Sequence, residues 1–412
     1  MEIGTWGIYA CLFIALYFEV FLLISFFEKR PAPKKPTRPT HYPTVDVLVP
    51  CWNKGATLGG TIESLLALDY PKDKLNIIVI DDGSTDNTYE AAQKFASEPQ
   101  VQVYQKKNEG SKYSALNFGL AHSRGELVGC LDADSFVTKD ALLEMVKAFE
   151  NDPSVMAAAP AMKVNKPHSI LELMQTVEYT FGIFYKKMFD NLHAISVLPG
   201  PFSVYRRSVF AQVGLFRKAH HTEDMEMAFR LHSHGLKLVN VHTALVYTNV
   251  PKTVGALVRQ RTRWSRGFLE NSRDYSYMFF NRRFGHFGIL VLPFGLVAFF
   301  AGLYSALFAF YHVSYYLGSR IVNYWVTGIP VQLPATEHVA WFYVNTSSLT
   351  ILIFATMGLT LTAILLGKRI AHTEIPLKSY ISYFALFGFV APLWLARAAW
   401  DTVFSNERGW LS

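Results

Sequence analysis

The sequence predicts an α/β protein in which a mostly parallel sheet, flanked by helices, is joined to transmembrane α-helices. Three observations carry this. Short apolar runs at Val45–Pro50, Leu75–Ile80, Val101–Tyr104 and Leu127–Leu131 alternate with helix-like segments at Thr57–Leu68, Thr85–Phe95 and Ser114–His122, the pattern of a doubly wound parallel sheet covered on both faces. The 412 residues are 51 % hydrophobic and 15 % aromatic but only 17 % charged, too apolar for an ordinary soluble domain. The run Glu126–Ser135 stops on two carboxylates, Asp132 and Asp134, at a strand end of the kind where open α/β sheets bind ligands.

In chain order, Thr5–Phe27 is almost uninterruptedly apolar and long enough to cross roughly 30 Å of hydrocarbon as a helix. A signal peptide would be shorter, with a small-residue cleavage site and its basic residues in front, so a retained anchor is expected. Glu19 is its one charge, read as a partner-satisfied or interface-level carboxylate before a pore-lining one. Lys29, Arg30, Lys34, Lys35 and Arg38, interleaved with Pro31, Pro33, Pro36 and Pro39, make a stiff basic linker on the cytoplasmic side, with the N-terminus outside. After the α/β pattern, Ile170, Leu173, Met174, Val177, Phe181, Phe184 and Met188 recur at helical spacing, read as an interfacial amphipathic helix rather than a core helix. A second such segment, Val254–Phe268, carries Arg259, Arg261, Arg263 and Arg266. Phe287–Tyr311 and Trp341–Leu366 hold no Asp, Glu, Lys or Arg and read as spans, with Arg320 in an outer loop and Lys368, Arg369 and Lys378 in an inner one. Ser379–Ala396 is apolar but interrupted by Pro392; one crossing would put Trp410 outside, a re-entrant segment would return it to the cytosol.

The formal charge of +7 collects beside the apolar segments, a membrane-surface signal rather than a nucleic-acid one. Cys11, Cys51 and Cys130 lack metal-type spacing and imply a reducing, cytosol-facing domain without disulfides.

Four clusters carry chemistry, each with a plainer reading beside it. Asp132 and Asp134 would point the same way from an extended strand, and two hard oxygen ligands suit Mg²⁺ or Mn²⁺ carrying a diphosphate; an Asp-x-Asp can equally cap a following helix. Asp81-Asp82-Gly83-Ser84-Thr85-Asp86 could hold a nucleobase or ribose, or be a turn with Thr85 and Asp86 as helix caps. Thr222-Glu223-Asp224 could deprotonate a hydroxyl nucleophile, or merely start the helix Met225–His232. Gln260-Arg261-Thr262-Arg263-Trp264 offers a cation for a diphosphate and an indole for stacking, or is a basic membrane-proximal helix.

As an ordered set, Asp, Asp-x-Asp, Thr-Glu-Asp and Gln-x-x-Arg-Trp resemble the family 2 glycosyltransferases, specifically the membrane-embedded processive group of hyaluronan, chitin, cellulose and poly-N-acetylglucosamine synthases. The resemblance runs from Val45 to Trp264 and into the flanking spans. It implies a GT-A-type fold in which Val49-Pro50-Cys51-Trp52-Asn53 is the opening strand motif, with Pro50 and Asn53 at the substrate. Asp81 and Asp82 would bind uridine, Lys112 would lie near the nucleotide, and Asp132 with Asp134 would hold the metal and diphosphate. Pro199-Gly200-Pro201 would form the acceptor-end loop, with Glu223 beside the substrate and Asp224 as catalytic base. Gln260, Arg263 and Trp264 would clamp the diphosphate and acceptor sugar. Two positions depart from the pattern: Lys54 stands where the family usually has an acid, which weakens any claim about ribose contacts there, and Ser111 is inserted between Gly110 and Lys112.

The expected organisation is a transmembrane helix at 1–28, a linker at 29–43, a cytosolic GT-A domain at 44–250, an interfacial segment at 251–286, a transmembrane region of three or four segments at 287–400 and a tail at 401–412. The expected activity is inverting, processive, metal-dependent β-glycosyl transfer at the plasma membrane. UDP-N-acetylglucosamine is the expected donor and a growing polysaccharide the acceptor. A non-processive transfer of one sugar to a lipid, and a catalytically inactive transport or scaffold protein, are the competing readings; Lys54 is the feature that favours the last.

Overall fold

The computed structural model describes residues 3–28, 39–328 and 347–404. Residues 29–38 of the basic linker, the first residues of the predicted Trp341 span and Trp410 lie outside them. The elements run α1 (Ile3–Phe27), β1 (Val45–Cys51), α2 (Gly55–Leu66), β2 (Leu75–Asp81), α3 (Thr88–Gln93), β3 (Val101–Gln105), α4 (Lys112–His122), β4 (Leu127–Cys130), β5 (Ser135–Val137) and α5 (Ala141–Asn151). They continue with β6 (Val155–Val164), α6 (Ile170–Asn191), β7 (Ser203–Arg206), α7 (Ser208–Val213), α8 (Glu223–Ser233), β8 (Lys237–Thr248), α9 (Val254–Asp274), α10 (Leu292–Thr327), α11 (Ser348–Ile370) and α12 (Leu377–Phe404). The chain divides into two compact units, Met1–Phe27 with Gly295–Ala363, and Glu28–Phe294 with Ile364–Ser412.

In the first unit α1 and α10 approach closely. A Cβ on Gly7 would collide with the Tyr304 ring, and the Tyr304 hydroxyl donates to the Gly4 carbonyl at 2.8 Å, the small-residue contact by which apolar helices pack without a hydrophobic driving force. Glu19 has a partner, Thr360, whose hydroxyl donates to Oε1 at 2.6 Å. Among the described residues four helices are long and apolar enough to cross a membrane: Gly4–Phe27, Phe287–Thr327, Ser348–Ile370 and Leu377–Phe404. Arg320, expected in a loop, lies within α10. The α12 helix continues through Pro392.

The second unit is built on an eight-stranded sheet of order β3-β2-β1-β4-β7-β6-β8-β5. The β3-β2-β1-β4 half is parallel, as the apolar runs predicted; β7 then pairs antiparallel with β4 and β6, and β5 antiparallel with β8, so the sheet is mixed. Both faces are covered, which is why the strands read as unbroken apolar runs. Val47, Val49 and Cys51 face one core with Leu58 and Ile62 of α2 and Met145 and Phe149 of α5. Leu48, Ile78 and Val128 face the other, with Leu116 of α4 and Met227 of α8.

The α6 helix, expected at the membrane interface, packs against α9 and against α12, one of the four long apolar helices. Met174 and Val177 are buried with Leu257 of α9 and Tyr383, Val390 and Trp394 of α12, while Ile183 packs with Ala161 of β6. Much of its apolar stripe is thus covered by the sheet and two neighbouring helices, while Ile170 stays exposed.

Candidate active site

The strand order reverses at β1, with β2 on one side and β4 on the other, so a crevice opens beyond the carboxyl ends of these strands. The register aligns Cys51 with Asp81 and Leu48 with Cys130, setting the residues after each strand side by side. Antiparallel pairing of Cys130 with Ser203 brings Pro199-Gly200-Pro201 against the Asp132 loop, and the Ser203 hydroxyl pins that turn by donating to the Pro199 carbonyl at 2.7 Å.

The resulting cleft, about 520 Å³, is lined by Pro50, Lys54, Asp82, Lys112, Asp132, Asp134, Gly200, Glu223, Asp224, Gln260, Arg263 and Trp264. Two further residues expected at the substrate, Asp81 and Asn53, stand beside this lining. Asp81 is fully buried, its carboxylate accepting from the Ser84 amide at 3.2 Å and from Gln105 at 2.9 Å. Asn53, at φ 52°, accepts from the Thr85 amide at 2.8 Å. Both shape the turn that presents their neighbours. Asp82 does reach the cleft: Lys106 donates to Oδ1 at 2.8 Å, while Oδ2 is buried without a hydrogen-bond partner. The cap reading of Thr85 fails, because α3 begins at Thr88, whose amide donates to Asp86 at 3.0 Å.

Asp132 and Asp134 lie in a turn, since β4 ends at Cys130, and the next element is β5 rather than a helix. The helix-cap reading therefore has nothing to cap. Each carboxylate carries its own lysine: Lys112 pairs with Asp132 Oδ1, and Lys54 with Asp134 Oδ2 at 2.6 Å. Lys112 also meets Glu223 at 3.3 Å. Burial alone would depress its pKa, but Asp132, Glu223 and Asp224 outweigh burial and hold it well above the ordinary lysine range. A side chain at Gly200 would run into Lys112 Nζ and the Asp132 carboxylate, so this glycine permits the close approach of the Pro199-Gly200-Pro201 loop. One oxygen on each aspartate is left by the lysines, a donor set that fits a hard divalent ion drawing its other ligands from phosphate and water. Among the described residues no group of three or more His, Cys, Asp or Glu could hold an ion by itself.

Thr222-Glu223-Asp224 follows a strap whose residues Ala219, His220 and His221 have φ of 43°, 53° and 61°, three left-handed side-chain-bearing residues that cost roughly 1 kcal/mol or more each. The strap is held at both ends. His220 meets Asp274 at 2.8 Å and Glu270 at 3.2 Å, and Arg263 donates to the His221 carbonyl at 2.9 Å. Burial and then Glu223 raise the Asp224 pKa to about 6, against the pull of Lys112 and Arg263. Lys186 of α6 also lines the cleft, its pKa pushed down to about 8 by burial.

The α9 helix closes the cleft, and two residues that sequence reasoning missed set its position. A Cβ on Gly267 would collide with the Thr222 side chain, and Asn271 donates to Thr222 Oγ1 at 2.9 Å. Arg261, inside the same motif, is buried and bound through Nε and Nη2 to Glu178, at 2.9 and 3.0 Å. It donates to Gln260 at 2.7 Å and lies 4.2 Å from the Trp264 ring, so it positions two members of the motif and leaves Arg263 as the cation of the set that reaches the cleft.

Residues 46–214 match the Glycosyl transferase family 2 profile. This segment is a family 2 glycosyltransferase domain. Over 224 residues the chain is 33 % identical to the poly-beta-1,6-N-acetyl-D-glucosamine synthases of Staphylococcus aureus (strain COL) and Staphylococcus epidermidis, covering 54 % of this chain and 54 % of each relative. The chain thus spans about half the length of the curated relatives it matches. Among solved structures it is similar to mannosyltransferase PcManGT from Pyrobaculum calidifontis, determined in complex with GDP-Man and Mn²⁺, with TM-score 0.67, 19 % identity, and 98 % and 99 % of the two chains covered. That likeness shows a shared GT-A-type fold of mixed sheet, flanking helices and long apolar helices.

Proposed function

We propose that the protein is an inverting, processive β-glycosyltransferase that polymerises a UDP-sugar, UDP-N-acetylglucosamine being the donor, and passes the polysaccharide across the plasma membrane in which its apolar helices are embedded. The 44–250 domain and the 251–286 segment face the cytosol in this reading. The observation that carries it is the convergence of the Asp-x-Asp pair, Asp224 and the Gln-Arg-Trp set on one cleft. The matched poly-N-acetylglucosamine synthases support the donor.

Asp132 and Asp134 would hold Mg²⁺ or Mn²⁺, which supplies charge neutralisation for the diphosphate when bound. The protein's own groups do the rest. Arg263 and Lys112 face the growing negative charge of the leaving group across the cleft. Asp224, basic enough to accept a proton yet ionised at neutral pH, takes the proton from the acceptor hydroxyl as that oxygen attacks the anomeric carbon from the opposite face. Trp264 gives a sugar ring a flat apolar platform. No nucleophile of the protein is required: burial pushes the thiols of Cys51 and Cys130 well up, the latter to about 12, which keeps both protonated.

The test is a panel of labelled UDP-sugars given to the purified protein in vesicles, with product sizing and digestion by linkage-specific glycosidases. Long chains from UDP-N-acetylglucosamine are expected. A single-sugar lipid product would replace the polymerase reading by lipid glycosylation, and no product from any donor would favour a non-catalytic role.

A further inference from the structure

The family resemblance leaves Lys54 without a role, and the structure puts it beside the carboxylate expected to bind metal. Its position is over-determined. The Lys54 amide donates to Thr88 Oγ1 at 2.7 Å, the Gly55 amide to Asp86 at 3.2 Å, and Thr57 at the start of α2 donates to the carbonyl of Ala133, between the two aspartates, at 2.8 Å. The helix start and the Asp-x-Asp turn are thereby tied together, with the ammonium 2.6 Å from Asp134 Oδ2. The side chain is 42 % exposed and lines the cleft, so it has room to swing towards a ligand.

We propose that Lys54 guards the metal seat: in the nucleotide-free protein its ammonium occupies Asp134, so that a divalent cation enters together with a nucleoside diphosphate, whose phosphates take over the lysine. The inference rests on the reading of Asp132 and Asp134 as metal ligands. A cation at Asp134 must displace or repel the ammonium, and a diphosphate anion in the cleft gives that ammonium another partner. Metal and nucleotide therefore bind with positive coupling, equal in both directions. An acid at position 54 would instead add a ligand to the seat and let metal bind alone.

The experiment measures Mn²⁺ binding by electron paramagnetic resonance on the full-length protein in detergent, with and without UDP, for wild type, Lys54→Met and Lys54→Gln, with Asp132→Asn and Asp134→Asn as controls. Wild type should bind Mn²⁺ at least about tenfold more tightly with UDP present. Removing the ammonium should tighten UDP-free Mn²⁺ binding by about two- to fivefold, the scale of a partly exposed ion pair, and shrink the coupling by the same factor. Lys54→Gln is the second variant should Lys54→Met misfold, as judged by its melting curve. Unchanged or weaker UDP-free Mn²⁺ binding in the folded variant overturns the proposal. Mn²⁺ binding that survives both aspartate substitutions unchanged overturns the metal seat itself, a result distinguishable from failure at Lys54 alone.

Discussion

Glu178 of α6 and Arg261 of α9 face each other as a two-pronged ion pair, with Arg261 Nε 2.9 Å from Oε1 and Nη2 3.0 Å from Oε2. Glu178 itself lines the cleft, and the pair fixes the helix that carries Gln260, Arg263 and Trp264. Glu178→Ala strands a buried guanidinium. It should cost about 2–3 kcal/mol of stability, less than the ~3–5 kcal/mol of a fully buried pair because Glu178 is 23 % exposed. Arg261→Lys keeps the charge but loses the planar fork, and should lower kcat more than UDP affinity. Chemical denaturation and steady-state kinetics check both.

The raised Asp224 pKa, about 6, sets a pH dependence. Below that value the base is protonated, so kcat/KM should fall by about tenfold per pH unit on the acid side and level off above it. Folding favours the protonated form, because the folded-state pKa lies above the ordinary 3.8. The stability this group contributes is therefore full below 3.8 and lost as pH rises through about 6. Asp224→Asn should raise Tm more at pH 8 than at pH 4, which calorimetry at about these two values reads directly.

Two glycines should separate function from folding. Gly200→Ala meets Lys112 Nζ and the Asp132 carboxylate, flexible side-chain ends that can yield, so Tm should hold while donor KM rises about tenfold or more. Gly267→Ala meets the buried Thr222 side chain and should cost about 1–3 kcal/mol, lifting α9 off the residues that hold Asp224.

Excess chelator should abolish transfer, and Mn²⁺ or Mg²⁺ should restore it. Turnover unchanged by chelation, measured with labelled donor, would remove the metal from the account.

Much of this was legible because it is local. The strands of the parallel half announce themselves through burial on both faces, and the helices through period and length. The ordered acids and the Gln-x-x-Arg-Trp run lie in the sequence at positions that the fold gathers into one cleft. Other features depend on long-range pairing. Nothing near Asp132 shows that its strand stops at Cys130, leaving the two aspartates in a turn with separate lysines. Arg261 looks as available as Arg263 until Glu178, 83 residues away in the chain, claims it. The α6 stripe could not reveal whether lipid or α12 would cover it, because both are equally apolar. Arg320 looks like a loop residue by charge, yet α10 runs past it.

The central claim is that Asp224 is the base for sugar transfer in a cleft whose donor-binding machinery is separate from it. The most direct measurement is Asp224→Asn, compared with wild type for UDP binding by calorimetry and for transfer of labelled UDP-sugar in the same preparation. The account predicts UDP affinity within about threefold of wild type and a loss of transfer of at least about a hundredfold. Transfer at a near-wild-type rate by the folded, UDP-binding variant would contradict it.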